Sequence, residues 1–316
     1  MPMTDGLKAV DGPGPGESRL NPFRLTPKFG ARIWGKSSLE PWYTETGVEG
    51  KVGEAWLTGP DCAAATGPVA GKTLGELAKE YPGQLGNGEY PLLVKMLFPD
   101  EKLSVQVHPD DIEAQKLGLP RGKTECWYVL ESELGARVAC GLQSGVSLDE
   151  VRAAIADGTL EDKLEWLPVS AGDMVFVDAG TVHAIGPGVV LLEVQQTCDV
   201  TYRLFDYGRP RALHLDDGLA VVKLKTKAGK VKPVETSGFT RLIESEYFVV
   251  DRFELKPGET IEMPMDGIGC VAAIKGSAAV NEVEFDAGHA VVVPEGSVTL
   301  SSRGGATVVR CWEPGK

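Results

Sequence analysis

A chain of 316 residues, 42% of them hydrophobic, is long enough for two ordinary domains or one long β domain, and in either case for a sizeable core. Lys and Arg number 32 against 45 Asp and Glu, a net charge of −13 that argues against a nucleic-acid partner and obliges any anionic substrate to be met by a local cluster of cations. The six cysteines form no C-x-x-C pair, no apolar run reaches membrane-spanning length and Met1–Leu20 lacks a signal-type apolar stretch, so we expect reduced thiols and a cytoplasmic protein with no membrane partner.

In chain order, residues 1–19 contain G-P-G-P-G-E without hydrophobic periodicity and are expected to be a disordered tail. Two aromatic-rich strands follow, in P-K-F-G-A-R-I-W-G-K and G-E-A-W-L-T, and then a short helix over Thr73–Glu80, stopped by Pro82. From Leu92 the chain reads L-L-V-K-M-L-F-P-D-E-K-L-S-V-Q-V-H-P-D-D. Apolar and polar residues alternate there, which turns Ser104, Gln106 and His108 to one face of a strand ended by Pro109. Asp110 and Asp111 are expected to cap a helix over Ile112–Leu117.

Trp127–Leu130 and Ala136–Cys140 read as paired strands. Between Ser147 and Leu167 the period changes to that of helices: Ser147 and Glu150 have capping-box spacing and Gly158 stops the first turn run, while Thr159 and Asp162 repeat the start signal weakly. Strands resume at Val169, and the Lys-rich stretch Lys223–Lys232 is expected to be an exposed linker. From Phe248 the chain is β to its end, and an internal repeat appears: Ala171-Gly172 matches Ala287-Gly288, Gly180 matches Gly296, and five residues rich in Val follow each A-G pair. In this register His183 falls on Thr299, so the second copy keeps the turn glycines and loses the histidine. His289, opposite Asp173 without a neighbouring ligand-type residue, is expected to be an ordinary surface or turn residue.

An amide at Gln106 and an imidazole at His108 on one strand face, a carboxylate at Glu125 opening the next strand and His183 closing another make a candidate site for one divalent metal ion per chain. Nitrogen and oxygen ligands without thiolate suit zinc, with manganese, cobalt and iron as further possibilities.

Gly172, the five-residue strand, Gly180 and His183 resemble the second motif of the cupin superfamily, and Gln106-x-His108 with a displaced Glu125 resembles an altered first motif. With L-S-V-Q-V-H-P-D-D, G-K-T-E-C-W-Y, G-T-V-H-A-I-G and E-V-Q-Q-T-C-D-V-T-Y-R-L-F-D-Y-G-R in this order, the chain from about Asn21 to Pro314 is similar to the type I phosphomannose isomerases, in particular their short bacterial form. The resemblance implies a mainly β fold of two jelly-roll, cupin-type β-barrels: residues 20–235 with a small helical insertion at 147–167 and the metal, and residues 236–316 without it.

It also implies zinc on Gln106, His108, Glu125 and His183, an essential Arg203, active-site Lys95 and Lys123, acidic Glu193 and Asp199 close to the substrate, and phosphate binding by Ser104 and Arg209. Gly122 departs from the histidine that some longer relatives carry before the lysine. The expected activity is interconversion of mannose 6-phosphate and fructose 6-phosphate through a cis-enediol, with a sugar phosphate as the small-molecule partner. Lys123, Asp199 and Glu193 are open alternatives for the base. A cupin iron oxygenase and a non-catalytic sugar-phosphate binder are the alternative functions; the amide ligand and the cations Lys95, Lys123, Arg203 and Arg209 speak against the first, and turnover decides the second.

Overall fold

The computed structural model describes residues 19–315, so the expected tail lies, but for Arg19, outside the described residues. Three antiparallel sheets carry the fold. A seven-stranded sheet runs, edge to edge, through Gly229–Val231, Met174–Val177, Glu125–Ser132, Val189–Gln196, Leu92–Leu97, Val52–Thr58 and Lys28–Lys36. A five-stranded sheet runs through Tyr202–Phe205, Val105–Val107, His183–Ile185, Arg137–Leu142 and Leu164–Pro168. Trp127, Val129, Val175 and Leu191 of the first share one buried cluster with Val138, Cys140 and Ile185 of the second, so the two sheets form a sandwich. Each sheet keeps free edges, and the sandwich does not close into a barrel.

The third sheet, of ten strands, takes in the chain from Val234 to Trp312 together with Phe23–Arg24, which pairs with Ala290–Val293. Its outer core joins the back of the seven-stranded sheet: Val94, Cys126 and Leu192 pack in one cluster with Phe248, Val250, Cys270, Ala290 and Cys311. The interior of this half is filled by Met263, Val271, Phe285, Val291, Val298 and Leu300.

The repeat read in the sequence recurs in the backbone. Gly172 and Gly288 adopt φ of 94° and 85°, Gly180 and Gly296 φ of 89° and 138°, values that favour a residue without a Cβ. His183 stands opposite Gln106 on the neighbouring strand, and Thr299 stands opposite Glu262, to which its hydroxyl donates at 3.1 Å. A hydroxyl–carboxylate pair thus stands in the second copy where the first has His183 and Gln106. His289 is half-buried in the turn before Ala290–Val293, with its ring beside Tyr43.

Local signals held where they were local. Helix Leu74–Glu80 starts at a Thr73–Glu76 capping box, helix Leu148–Asp157 at a Ser147–Glu150 box, and Gly158 ends the latter at φ 82°. Helix Asp111–Lys116 is capped by Asp110 alone; the Asp111 carboxylate instead accepts from the Gly122 amide at 2.7 Å and Gln196 Nε2 at 3.0 Å, tying down the loop that leads to Lys123.

Two expectations are corrected. The helical span of 147–167 ends at Lys163, because Leu164–Pro168 is a strand whose Trp166 and Leu167 pair with Ala139 and Val138. Trp127–Leu130 and Ala136–Cys140 are not partners: their segments lie in opposite sheets of the sandwich, each paired with strands distant in sequence. Helix Leu215–Val221 follows His214, which supplies no side-chain cap, and no start signal marks it in the sequence. The Lys-rich stretch is largely exposed, with Lys223 and Lys230 bridged to Asp110 and Asp173, and its residues Gly229–Val231 add an edge strand to Met174–Val177. Among the described residues no helix is long and apolar enough to cross a membrane.

Candidate active site

Facing rows of polar side chains interrupt the apolar interior of the sandwich. In the five-stranded sheet, Cys140, His183, Gln106 and Arg203 are successive cross-strand neighbours. In the seven-stranded sheet, Trp56, Lys95, Glu193 and Trp127 form one such row, and Gln195 and Glu125 belong to the next. Period-two alternation puts Glu193 and Gln195 on this inner face while Leu192 and Val194 point back into the core shared with the ten-stranded sheet.

His108, Glu125 and His183 meet where the rows converge, each at most 1% exposed, with one ligand-type atom apiece within 4.8 Å of the others. His108 Nδ1 lies 2.9 Å from the Val200 carbonyl and His183 Nδ1 2.9 Å from the Thr181 carbonyl. A carbonyl only accepts, so both rings carry hydrogen on Nδ1 and turn the Nε2 lone pair inward. Burial, and then the charge of Lys123, holds His108 well below the ordinary imidazole range; burial lowers His183 to about 4 against the opposing bond to Thr181. Both rings are therefore neutral at pH 7, the form that binds a metal.

Glu125 lies between them, Oε2 at 3.6 Å from His108 Nε2 and Oε1 at 3.5 Å from His183 Nε2. Tetrahedral ligands about 2.1 Å from an ion stand about 3.4 Å apart, so these separations fit a shared divalent cation. Trp127 Nε1 donates to Glu125 Oε1 at 3.1 Å and fixes the carboxylate. Gln106 completes the ring: its Nε2 is 3.3 Å from His183 Nε2 and its Oε1 accepts from Ser104 Oγ at 3.3 Å, and a half-turn of the amide brings the oxygen to the ligand position.

The Lys123 ammonium sits 3.0 Å from His108 Nε2 and 3.0 Å from Glu125 Oε2. Burial opposes its charge, but Glu125 and Glu193 outweigh that and raise its pKa above the ordinary lysine range. Lys95, 3% exposed, lies 3.1 Å from Asp199 and 3.6 Å from Glu193, with its ammonium 4.6 Å over the Trp56 ring. Burial pushes Glu193 up, with Glu125 adding to it; burial also works against Asp199, yet Lys95 and Lys123 hold that carboxyl below its usual range.

A cavity of about 460 Å³ opens above these groups, and Lys95, Ser104, Gln106, Lys123, Glu193, Asp199 and Arg203 all line it. The His108–Glu125–His183 trio lies beneath, in contact with the cavity through Gln106 and Lys123. Arg209 is not brought into this space. Its Nη2 is 2.7 Å from the Lys102 carbonyl and 2.9 Å from Asp206, and its guanidinium stacks 5.4 Å from the Tyr207 ring centre. The cavity contains residues that the sequence reading passed over: Arg211, Arg32 and Glu54. Glu54 receives both Arg32 Nη2 at 2.7 Å and Trp56 Nε1 at 2.8 Å, and so braces the wall under Lys95. Alternation in G-E-A-W-L-T marks Glu54 and Trp56 as one face of a strand, the one signal available for them.

Two buried neutral imidazoles and a buried carboxylate, with the half-buried Gln106 amide beside them, suit a divalent metal ion, and the cationic wall suits an anionic substrate in a chain of charge −13.

No protein-family model matches the sequence. The chain is 33% identical over 253 residues to a protein of Bacillus subtilis named probable mannose-6-phosphate isomerase, covering 74% of this chain and 80% of that one. It is 34% identical over 253 residues to a Streptococcus mutans protein named mannose-6-phosphate isomerase, covering 74% and 79%. The crystal structure of the Bacillus subtilis mannose 6-phosphate isomerase superposes with a TM-score of 0.80 at 29% identity, over 92% of this chain and 99% of that one. A phosphomannose isomerase of Salmonella typhimurium, 16% identical, shares the fold with a TM-score of 0.74, over 93% and 99% of the chains.

Proposed function

Because the chain belongs to the mannose-6-phosphate isomerase family, we propose that its cavity interconverts mannose 6-phosphate and fructose 6-phosphate through a cis-enediol, with one zinc ion held by Gln106, His108, Glu125 and His183. The observation that carries this reading is the buried His108–Glu125–His183 trio beneath a cavity walled by Lys95, Lys123 and Arg203. A bound divalent ion supplies polarisation of the sugar oxygens, which eases loss of a proton from the neighbouring carbon.

The reaction moves one proton between C1 and C2, so it needs a carrier that reaches both carbons and positive charge beside the oxygen that becomes negative. Asp199 is the carboxylate within reach, its side chain 55% exposed against 6% for Glu193, and Lys95 lies 3.1 Å from it. Asp199, paired with the Lys95 ammonium, takes the proton from one carbon and returns it to the other, while the hydroxyl proton passes between O1 and O2 of the same enediol. Lys123, buried in the cavity wall with its ammonium 3.0 Å from Glu125, supplies positive charge to the developing oxyanion rather than acting as base. Glu193 holds Lys95 from behind at 3.6 Å, Ser104 fixes the Gln106 amide, and Arg203 draws the anionic end of the substrate to the opposite wall.

The same reading treats residues 20–235 as the metal-binding unit and 236–316 as a copy that retained the fold and covers the back of the catalytic sheet. A coupled assay on the purified protein tests the activity: fructose 6-phosphate forms from mannose 6-phosphate, chelation abolishes the rate and zinc restores it. A metal-replete protein that forms no fructose 6-phosphate would end the proposal.

A further inference from the structure

The strand Tyr202–Phe205 and the turn after it carry three arginines and a single carboxylate within nine residues, in R-L-F-D-Y-G-R-P-R. That carboxylate, Asp206, is 3% exposed. It accepts from Arg211 at both oxygens, Nε to Oδ2 and Nη2 to Oδ1, each at 2.6 Å, and Arg209 Nη2 lies 2.9 Å from Oδ1. One negative charge against three positive ones leaves a local surplus of cation beside the cavity, which favours an anion there.

The three arginines spend their donors differently. Arg209 gives Nε to the Asp206 main-chain carbonyl at 3.2 Å and Nη2 to the Lys102 carbonyl at 2.7 Å, outside the cavity. Arg203 gives Nη1 to the Ala212 carbonyl at 2.8 Å, while its buried Nε has no hydrogen-bond partner among the described residues. Arg211 lines the cavity beside Arg203, with its Nε and Nη2 held on Asp206 and Nη1 left for a ligand. Burial, and then repulsion from Arg211, shifts the Arg203 guanidinium below its ordinary pKa, which marks the two cations as near neighbours sharing one volume.

We infer that Arg211, clamped by Asp206, takes the substrate's phosphate together with Arg203, and that Arg209 braces the turn instead. The inference rests on the isomerase reading of the cavity. A planar guanidinium fixed along one edge presents its remaining N–H groups at constant angle, which suits a tetrahedral phosphate better than a mobile ammonium does. Asp206 is the positioning residue: it touches no substrate and sets the angle of Arg211.

The test compares Arg211→Ala, Arg211→Lys, Arg209→Ala and Asp206→Asn with the unaltered holoenzyme. Steady-state kinetics on mannose 6-phosphate are combined with the inhibition constant of inorganic phosphate, and thermal melts check folding. Losing a charge-assisted phosphate contact raises KM and the phosphate inhibition constant about 10- to 100-fold in Arg211→Ala, with kcat changed far less. Arg211→Lys recovers part of the loss and Asp206→Asn falls between; either variant serves if the alanine variant does not fold. Arg209→Ala melts at lower temperature, with its phosphate constant within about threefold of the parent, no charge-assisted ligand contact having been lost.

A phosphate constant that rises with Arg209→Ala as much as with Arg211→Ala, or that stays at the parent value in Arg211→Ala, overturns the inference. Calorimetric titration with inorganic phosphate separates the two readings. Arg211-dependent phosphate binding without isomerase turnover would refute the proposed function alone, and turnover indifferent to Arg211 would refute this inference alone.

Discussion

Gly122 is the position at which a single methyl group reports on the geometry of the site. A Cβ there would meet the carbonyl carbon of Asp110 and stand 2.6 Å from the Pro109 oxygen, both main-chain atoms that cannot swing aside. The residue is also tethered through its amide to Asp111 Oδ1 at 2.7 Å, so relief must come from moving the loop that carries Lys123. Overpacking of this kind costs about 1–3 kcal/mol. With an unfolding entropy of about 2.1 cal/mol/K per residue, that lowers the melting temperature by about 2–5 °C.

The catalytic cost is larger. Lys123 Nζ is held at 3.0 Å from both His108 and Glu125, and a displacement of about 1 Å in a catalytic group costs on the order of 100-fold in rate. Gly122→Ala should therefore reduce kcat/KM about 100-fold in the coupled assay while remaining folded at 25 °C. Gly118→Ala is the control: its φ of 74° is strained for alanine, yet nothing lies within 4 Å of the added carbon, so stability falls and the rate does not. A Gly122→Ala enzyme with the parent's rate would show that the loop tolerates the shift and that the position of Lys123 is not what the rate depends on.

Two further predictions concern the scaffold. Asp251, fully buried, faces Arg241 and the 3%-exposed Arg310, so Asp251→Ala strands a buried guanidinium and should cost about 3–5 kcal/mol in urea unfolding, with isomerase activity at 25 °C retained; an unchanged unfolding midpoint would contradict this. All six cysteines are free and buried, and burial pushes Cys62 and Cys140 up to about 12 and holds Cys126 well above the ordinary thiol range, leaving these three almost no thiolate at pH 8. An aromatic disulfide reagent should titrate fewer than about one thiol per native chain within minutes and all six after denaturation; rapid reaction of a full equivalent in the native protein would be inconsistent with this burial.

What could be read from the sequence was what depends on neighbours along the chain. Period-two alternation put Ser104, Gln106 and His108 on one face, spacing alone marked the Ser147 cap, and the matched glycines exposed the repeat whose turns share left-handed backbone. Strand partners were beyond reach: nothing local in Trp127–Leu130 says that it pairs with Val189–Gln196 rather than with the strand that follows it. Leu164–Pro168 shows the same limit, since its strand conformation is dictated by Val138 and Ala139 across the sheet. Arg209 and Arg211 sit two residues apart on either side of Pro210, and which one enters the cavity is decided by Asp206, Lys102 and Tyr207, contacts that spacing does not encode.

The convergence of His108, Glu125, His183 and Gln106 on one cation is tested most directly by anomalous diffraction at the zinc edge, from crystals of the zinc-loaded, active enzyme. One strong peak per chain is expected, within bonding distance of both Nε2 atoms, a Glu125 oxygen and Gln106 Oε1, and absent in His183→Ala. An active crystal with no peak there, or with its metal bound elsewhere, would contradict the account.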